Sequence, residues 1–181
     1  MRGLAMFNSG ECFMKHVLLA VGLAFAGSAH AAAAPNADIE KATQQIQQVV
    51  HDFQAGIIKK DRALLASLFY PGSNSWFSVA TAPAYRAMQQ KFPGTTRVHG
   101  GSYEDFIGFV TGNPDPQEEK FSNVMIHTDG NIAAVYFDFV YLDKGKLNNQ
   151  GSETWQLLNT PDGWKINSII YTMDPGVSKK D

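Results

Sequence analysis

From residue 38 to residue 57, apolar side chains recur at three- and four-residue spacing: Ile39, Ala42, Ile46, Val49, Val50, Phe53 and Ile57. That period places them on one face and predicts a long amphipathic helix with Asp38 as its N-cap, weakened near its end by Gly56. Asp61 then caps a short second helix in "DRALLASLFYPG", which Pro71-Gly72 stops. The segment "SNSWFSVA" is aromatic and β-branched and reads as a strand. In "TAPAYRAMQQKFPGTTRVHGG", Pro83 can open a short helix, while Pro93-Gly94 and Gly100-Gly101 break the chain, so a lid or rim segment is expected. Ser102 caps a third helix, with Asp105 at capping-box spacing and Phe106, Ile107, Phe109 and Val110 as its apolar residues, before Pro114 and Pro116 end it.

Beyond residue 119 the period falls to two. Strands are predicted near 120–128, 131–142, 152–158 and 164–173, separated by "DGN", "DKGKLNNQG" and "NTPDG", each with hairpin-turn chemistry. The chain is therefore α+β, with three N-terminal helices packed on a strongly bent antiparallel sheet, because a bent sheet buries one face of every element.

Composition narrows the function classes. The 181 residues are 44% hydrophobic and 12% aromatic with a formal net charge of -2, which fits one domain with a sizeable core. Lys and Arg form no run longer than Lys59-Lys60 and Lys179-Lys180, so no electrostatic footprint for nucleic acid is expected. The text "MKHVLLAVGLAFAGSAHAAAAP" has a basic start at Lys15, an apolar run from Val17 to Ala26 and an A-x-A pattern at Ala29-His30-Ala31. These are the parts of a secretory signal peptide over 1–31, with Met14 the more natural start, followed by a linker at 32–37, a domain at 38–174 and a tail at 175–181. The expectation is export to the periplasm or beyond, with no membrane association after cleavage. The single Cys12 precedes the expected cleavage, so the mature chain has no thiol for a disulfide, a nucleophile or a metal.

The helix pair "VVHDFQAGIIKKDRALLASLF" and the terminal hairpin "SETWQLLNTPDGWKINSIIYT", with its "DGWKI" phrase, resemble the NTF2-like superfamily over roughly residues 38–174. That group includes nuclear transport factor 2, steroid isomerases and SnoaL-type polyketide cyclases. The resemblance implies a cone-shaped fold whose cavity lies between the concave sheet face and the helices, on a scaffold that hosts many unrelated functions. In the steroid isomerase branch a carboxylate on the strand after the second helix is the base, and a Tyr of the first helix with a protonated acid on a later strand forms the oxyanion site. Here the Tyr position falls near Phe53 and the base near 76–78, and no Asp or Glu occurs between Asp61 and Glu104. Steroid isomerase activity is therefore disfavoured.

Four residues remain as candidates for chemistry. Asp138 alternates with Ile132, Ala134, Tyr136, Val140 and Leu142, whereas Ala133, Val135, Phe137, Phe139 and Tyr141 form a wholly apolar face that suits the core. Asp138 with Tyr136 is then either a pocket acid with its donor or a pair on the sheet's outer face, where water or a dimer partner satisfies it. Glu153 shares a face with Trp155 and Leu157 and is either an acid or base in an apolar wall or the wet end of its strand; pairing Leu157 with Trp164 would add Ile166 and Ser168 to that face. His99, in "RVHGG", is a rim residue that could shuttle protons or sit in an ordinary loop. The same two options apply to Gly100-Gly101 before Ser102, as an anion cradle or a plain loop. His51 and His127 read as solvated, and no pair of histidines has metal-ligand spacing. Phe53, Trp76, Phe77, Phe106, Phe109, Trp155 and Tyr171 are expected to line or fill an apolar pocket. The leading expectation is a small hydrophobic or aromatic ligand without cofactor or metal. The rivals are an isomerase, dehydratase or cyclase using a pocket carboxylate, and a module that dimerises or docks a partner through its sheet.

Overall fold

A computed structural model of the chain describes residues 37–176. The predicted signal peptide, nearly all of the linker and the last five residues of the tail lie outside the described residues. The elements run in the order α1 (Ala37–Lys59), α2 (Arg62–Ser67), β1 (Ser75–Ala80), α3 (Ala82–Lys91), β2 (Val98–Gly100), α4 (Tyr103–Gly112), β3 (Gln117–Thr128), β4 (Ile132–Asp143), β5 (Lys146–Thr160) and β6 (Gly163–Met173). One six-stranded sheet has the order β2-β1-β6-β5-β4-β3. Every neighbouring pair is antiparallel except β1 with β6, which is parallel. That exception follows from the chain path: β1 is separated from the meander by two helices, and a long crossover is what a parallel pair requires.

Helix α1 buries Ala42, Ile46, Val49, Val50, Phe53 and Ile57, the stripe expected from its period. It ends where Lys60 takes a left-handed conformation at φ 55. There the Lys60 N–H reaches Ile57 O at 3.1 Å and the Asp61 N–H reaches Gly56 O at 3.0 Å, the two bonds of a Schellman ending. The Lys60 ammonium also donates to the carbonyls of Asn113 and Asp115, which ties this joint to the end of α4. Gly56 weakens the helix for a packing reason. A Cβ there would lie 2.7 Å from the Leu65 side chain, so the glycine lets α2 press against α1. Asp61 caps α2 by accepting from the Leu64 N–H at 2.9 Å, and Ser102 caps α4 by accepting from the Asp105 N–H at 3.1 Å.

Three departures from the sequence reading concern the rim and the meander. The segment opened by Pro83 is a ten-residue helix, α3, capped by Thr81, and "VHG" that follows is an edge strand, β2, so the described chain has four helices rather than three. The stretch "DKGKLNNQG" is mostly strand, because only Lys144 (φ 54) and Gly145 (φ 71) turn, and β5 begins at Lys146. Leu157 pairs with Ile166 rather than Trp164, after a register shift between Gln156 and Leu157. Trp164 and Ile166 still join the core, since both registers put them on the inner face.

Candidate functional site

The inner face of the sheet is built by period two. On β4, Ala133, Val135, Phe137, Phe139 and Tyr141 are all buried, as the alternation requires. On β3 the buried positions are Gln117 and Glu119, with Phe121 half-buried behind them. On β5 they are Glu153, Trp155 and Leu157. Register then sets the neighbours. Glu119 stands opposite Tyr141, which stands opposite Asn149, while Glu153 stands between Phe137 and Tyr171. Tyr171 faces Ser78, which faces His99, so one cross-strand row runs His99, Ser78, Tyr171, Glu153, Phe137.

These residues bound a cavity of about 400 Å³ between the sheet, α1 and α4. Its deep wall is Phe53, Trp76, Phe106, Phe139, Glu119 and Glu153, and its mouth is Gly101, Asp105, Phe109 and Asn148. The ring of Phe53 stacks on Phe106 at 5.4 Å, and Trp76 stacks on Phe106 at 5.2 Å, which fixes α1 and β1 against α4. Trp155 is wholly buried beneath this wall. It does not line the cavity, and its indole N–H donates to Glu153 Oε1.

Two buried carboxyls therefore face an aromatic cavity. Burial pushes the Glu153 carboxyl up to about 8, against the lowering effect of the Trp155 hydrogen bond. Burial likewise raises Glu119 well above the usual carboxylate range, and the charge on Glu153 raises it further. The two carboxyls interact, so their protons come off in two steps that belong to the pair. The two ion pairs seen among the described residues, Lys120 with Glu118 and Lys144 with Asp115, are at the surface and involve neither carboxyl. Tyr171 is raised by burial while Trp76 and Ser78 hydrogen-bond its hydroxyl. Tyr141 is raised by burial and by the nearby Glu119 and Asp143 charges, and its hydroxyl is buried with no partner.

The sequence-predicted residues separate cleanly. Phe53, Trp76, Phe106, Phe109, Tyr171 and Glu153 come together at the cavity. Phe77 does not: it points from the opposite face of β1 and is exposed. Asp138 and Tyr136 also lie on the outer face. There the Ser152 hydroxyl donates to Asp138 Oδ1 at 3.0 Å, the Asn123 amide donates to Oδ2 at 2.8 Å, and Tyr136 donates to Ser152. Outer-face Asp138 is therefore satisfied away from the pocket. His99 ends the inner row with a buried Nε2 that has no partner. The Gly100-Gly101 cradle is closed to an anion, because the Gly101 N–H donates to Trp76 O at 3.0 Å and Ser102 is engaged with Asp105. Glu119 is the residue the sequence reading missed. Starting the strand at 120 left it in the loop, whereas extending the alternation back from Phe121 through Glu119 to Gln117 places it on the inner face.

The outer face carries a contrasting row. Met125, Tyr136, Thr154, Ile170 and Phe77 stand side by side across five strands, and all four of the large apolar members are exposed.

No protein-family model and no curated protein matches the sequence. The arrangement of elements, however, matches many solved structures. A protein of unknown function from Mycobacterium tuberculosis aligns at TM-score 0.58 and 14% identity, covering 82% of this chain and 83% of that one. A scytalone dehydratase candidate from Novosphingobium aromaticivorans aligns at TM-score 0.57 and 13% identity over 76% and 87%. A dehydratase candidate of the NTF2-like family from Streptomyces avermitilis aligns at TM-score 0.54 and 19% identity over 75% and 98%. The chain has the NTF2-like fold. In this NTF2-like cone the carboxyl pair sits on the inner face of the sheet, in the cavity that the sheet forms with α1 and α4.

Proposed function

We propose that the protein binds a small hydrophobic or aromatic molecule in its conical cavity and moves protons on it with Glu153 and Glu119. The observation that carries this reading is the pair of buried carboxyls on the wall of one aromatic cavity. Such groups are costly to bury, and their combination with a concave apolar pocket is a mark of a site. Glu153, which titrates near 8, is placed to give a proton and take it back near neutrality. Glu119, held neutral, can donate a hydrogen bond to an oxygen on which charge develops. Proton abstraction with loss of water, or migration of a double bond, needs that pairing of roles. Two fold neighbours are dehydratase candidates, at identities that carry the fold alone. The N-terminal signal pattern supports action outside the cytoplasm.

The test is a metabolite screen for thermal stabilisation and turnover, with Glu153→Gln and Glu119→Gln beside the parent protein. Ligands that stabilise all three, with turnover lost in both variants, support the proposal. Turnover unchanged by both substitutions would sink the acid-base role, and stabilisation without any turnover would leave a binding protein.

The exposed apolar row on the outer sheet face supports a second reading, a homodimer formed sheet to sheet through Phe77, Tyr136 and Ile170. Light scattering on Ile170→Asp against the parent decides it: a monomer in both means that the face has another use.

A further inference from the structure

The charge pattern of the cavity is one-sided. Its lining includes three carboxyl side chains, Asp105 at the mouth with Glu119 and Glu153 inside, and no Lys, Arg or His. The remaining deep wall is aromatic, and the Tyr141 hydroxyl, opposite Glu119 and 6% exposed as a residue, is a buried polar atom with no protein partner. We propose that the ligand of this cavity is a small organic cation: an ammonium group on an apolar or aromatic body, its charge held beside Glu119 and Glu153 and its alkyl groups against the rings. This rests on the preceding reading that the cavity is a ligand site working through those two carboxyls.

The physical argument excludes the alternatives in turn. An anion would meet two carboxyls and no cation among the lining residues, and the Gly101 N–H at the mouth is already hydrogen-bonded to Trp76 O. A neutral ligand can bind, yet it leaves both acids in their protonated forms and draws nothing from their convergence. A cation is drawn to an aromatic wall such as that of Phe53, Trp76 and Phe106, more strongly where it is desolvated. It also supplies the counter-charge that Glu153, hydrogen-bonded only to the neutral Trp155 indole, can use once ionised. Binding then exchanges one cation for another. Glu153 releases its proton to the buffer as the ammonium enters, and no covalent bond to the ligand forms or breaks. The Tyr141 hydroxyl oxygen is free to accept a hydrogen bond from a protonated amine.

Proton release makes the proposal measurable. The other titratable groups around the pair are Tyr141 and Asp143 on β4, Tyr171 on β6, Asp105 on α4 and His99 on β2. Both tyrosines are raised by burial and stay protonated through the working range. His99→Gln, Asp105→Asn and Asp143→Asn controls separate the remaining three near neighbours from the pair. The experiment titrates the purified protein with phenyltrimethylammonium, whose charge is permanent, and with benzyl alcohol and benzoate as neutral and anionic arms. Calorimetry is run at pH 6, 7 and 8 in buffers of different ionisation enthalpy.

The expected result is that phenyltrimethylammonium affinity rises roughly 50-fold from pH 6 to pH 8 with release of about one proton at the acid end, by linkage to a group near 8. Benzyl alcohol should bind with a flat profile and benzoate not at all. Glu153→Gln should flatten the cation's profile while leaving the circular dichroism of the parent, and the three controls should keep the slope. Binding of benzyl alcohol with no cation binding, a flat cation profile in the parent, or preference for benzoate would overturn the cation inference alone. Failure of all three compounds, together with no hit in the metabolite screen, would overturn the cavity reading as well.

Discussion

Replacing Glu153 by glutamine is expected to make the protein more stable at neutral pH. In the unfolded chain this carboxyl titrates near its ordinary value of 4.5, and in the fold burial pushes it up to about 8. Between those values the native state holds a proton that the unfolded state has lost, so stability falls as pH rises. It falls by about 1.4 kcal/mol per unit and levels off above 8. From pH 5 to pH 8 the loss is about 4 kcal/mol, and at pH 7 the loss relative to the fully protonated state is about 3 kcal/mol. The glutamine side chain would keep the shape and still offer an oxygen to the Trp155 indole N–H, but it cannot ionise. Urea unfolding at pH 5, 6, 7 and 8 is the assay. With a slope of ~2 kcal/mol per molar, the parent midpoint should drop by roughly 2 M across that range while the variant's stays nearly level. A parent protein equally stable at pH 5 and pH 8, or a variant that tracks its decline, would refute the claim that Glu153 is held protonated by burial.

Three further outcomes follow from particular contacts. Trp155→Phe removes the hydrogen bond that lowers Glu153, so the Glu153 titration followed by carboxyl carbon NMR should lie above that of the parent protein; movement downward would show that the indole does not favour the ionised form. Gly151→Ala should cost about 2–4 kcal/mol in denaturant unfolding, because Gly151 has φ 150 and an added Cβ would sit 2.5 Å from Thr172 Cβ, a strained and overpacked position. Asp138→Asn, on the outer face, should change stability by about 1 kcal/mol at most and leave cavity binding untouched; a loss of binding would return Asp138 to the site.

Much of this geometry was legible in alternation and capping. The α1 stripe and the Asp61 and Ser102 caps each follow from a local rule, and the structure places them as read. Alternation also separated the two faces of β4 and put Glu153 on the face of Trp155 and Leu157, but left open which face of β4 met the cavity and whether Glu153 sat in a wall or at a wet strand end; the pairing of strands decides both. What was not legible had non-local causes. The start of β3 at Gln117 depends on Asp143 across the ladder rather than on any signal in "PQEEK", so Glu119 looked like loop acid. The long β5 is held through its polar half by neighbours: Asn149 donates its side-chain amide to Thr172 O and accepts from the Asp174 N–H. Residues of turn-forming type therefore stay extended. Phe77 was misplaced because aromatic content alone does not say which side of β1 faces inward, and the pairing of Ser78 with Tyr171 decides it.

That dependence on pairing also explains why the two acids converge. Glu119 and Glu153 lie on strands that flank β4, and each enters the cavity only because its own strand is in register with an aromatic position of β4, Tyr141 for one and Phe137 for the other. A one-residue slip in either ladder would turn its carboxyl out to solvent and relieve the cost of burying it, so for the acid alone stability favours the slip. The register holds because the same slip would expose Trp155 and Leu157 from β5, or Phe121 from β3, whose apolar burial outweighs the acid's penalty. The carboxyl pair is thus carried into the cone by the hydrophobic residues two positions along each strand. A buried carboxyl pair that costs stability at neutral pH fits the proposed role in moving protons, for which that cost would be the trade-off.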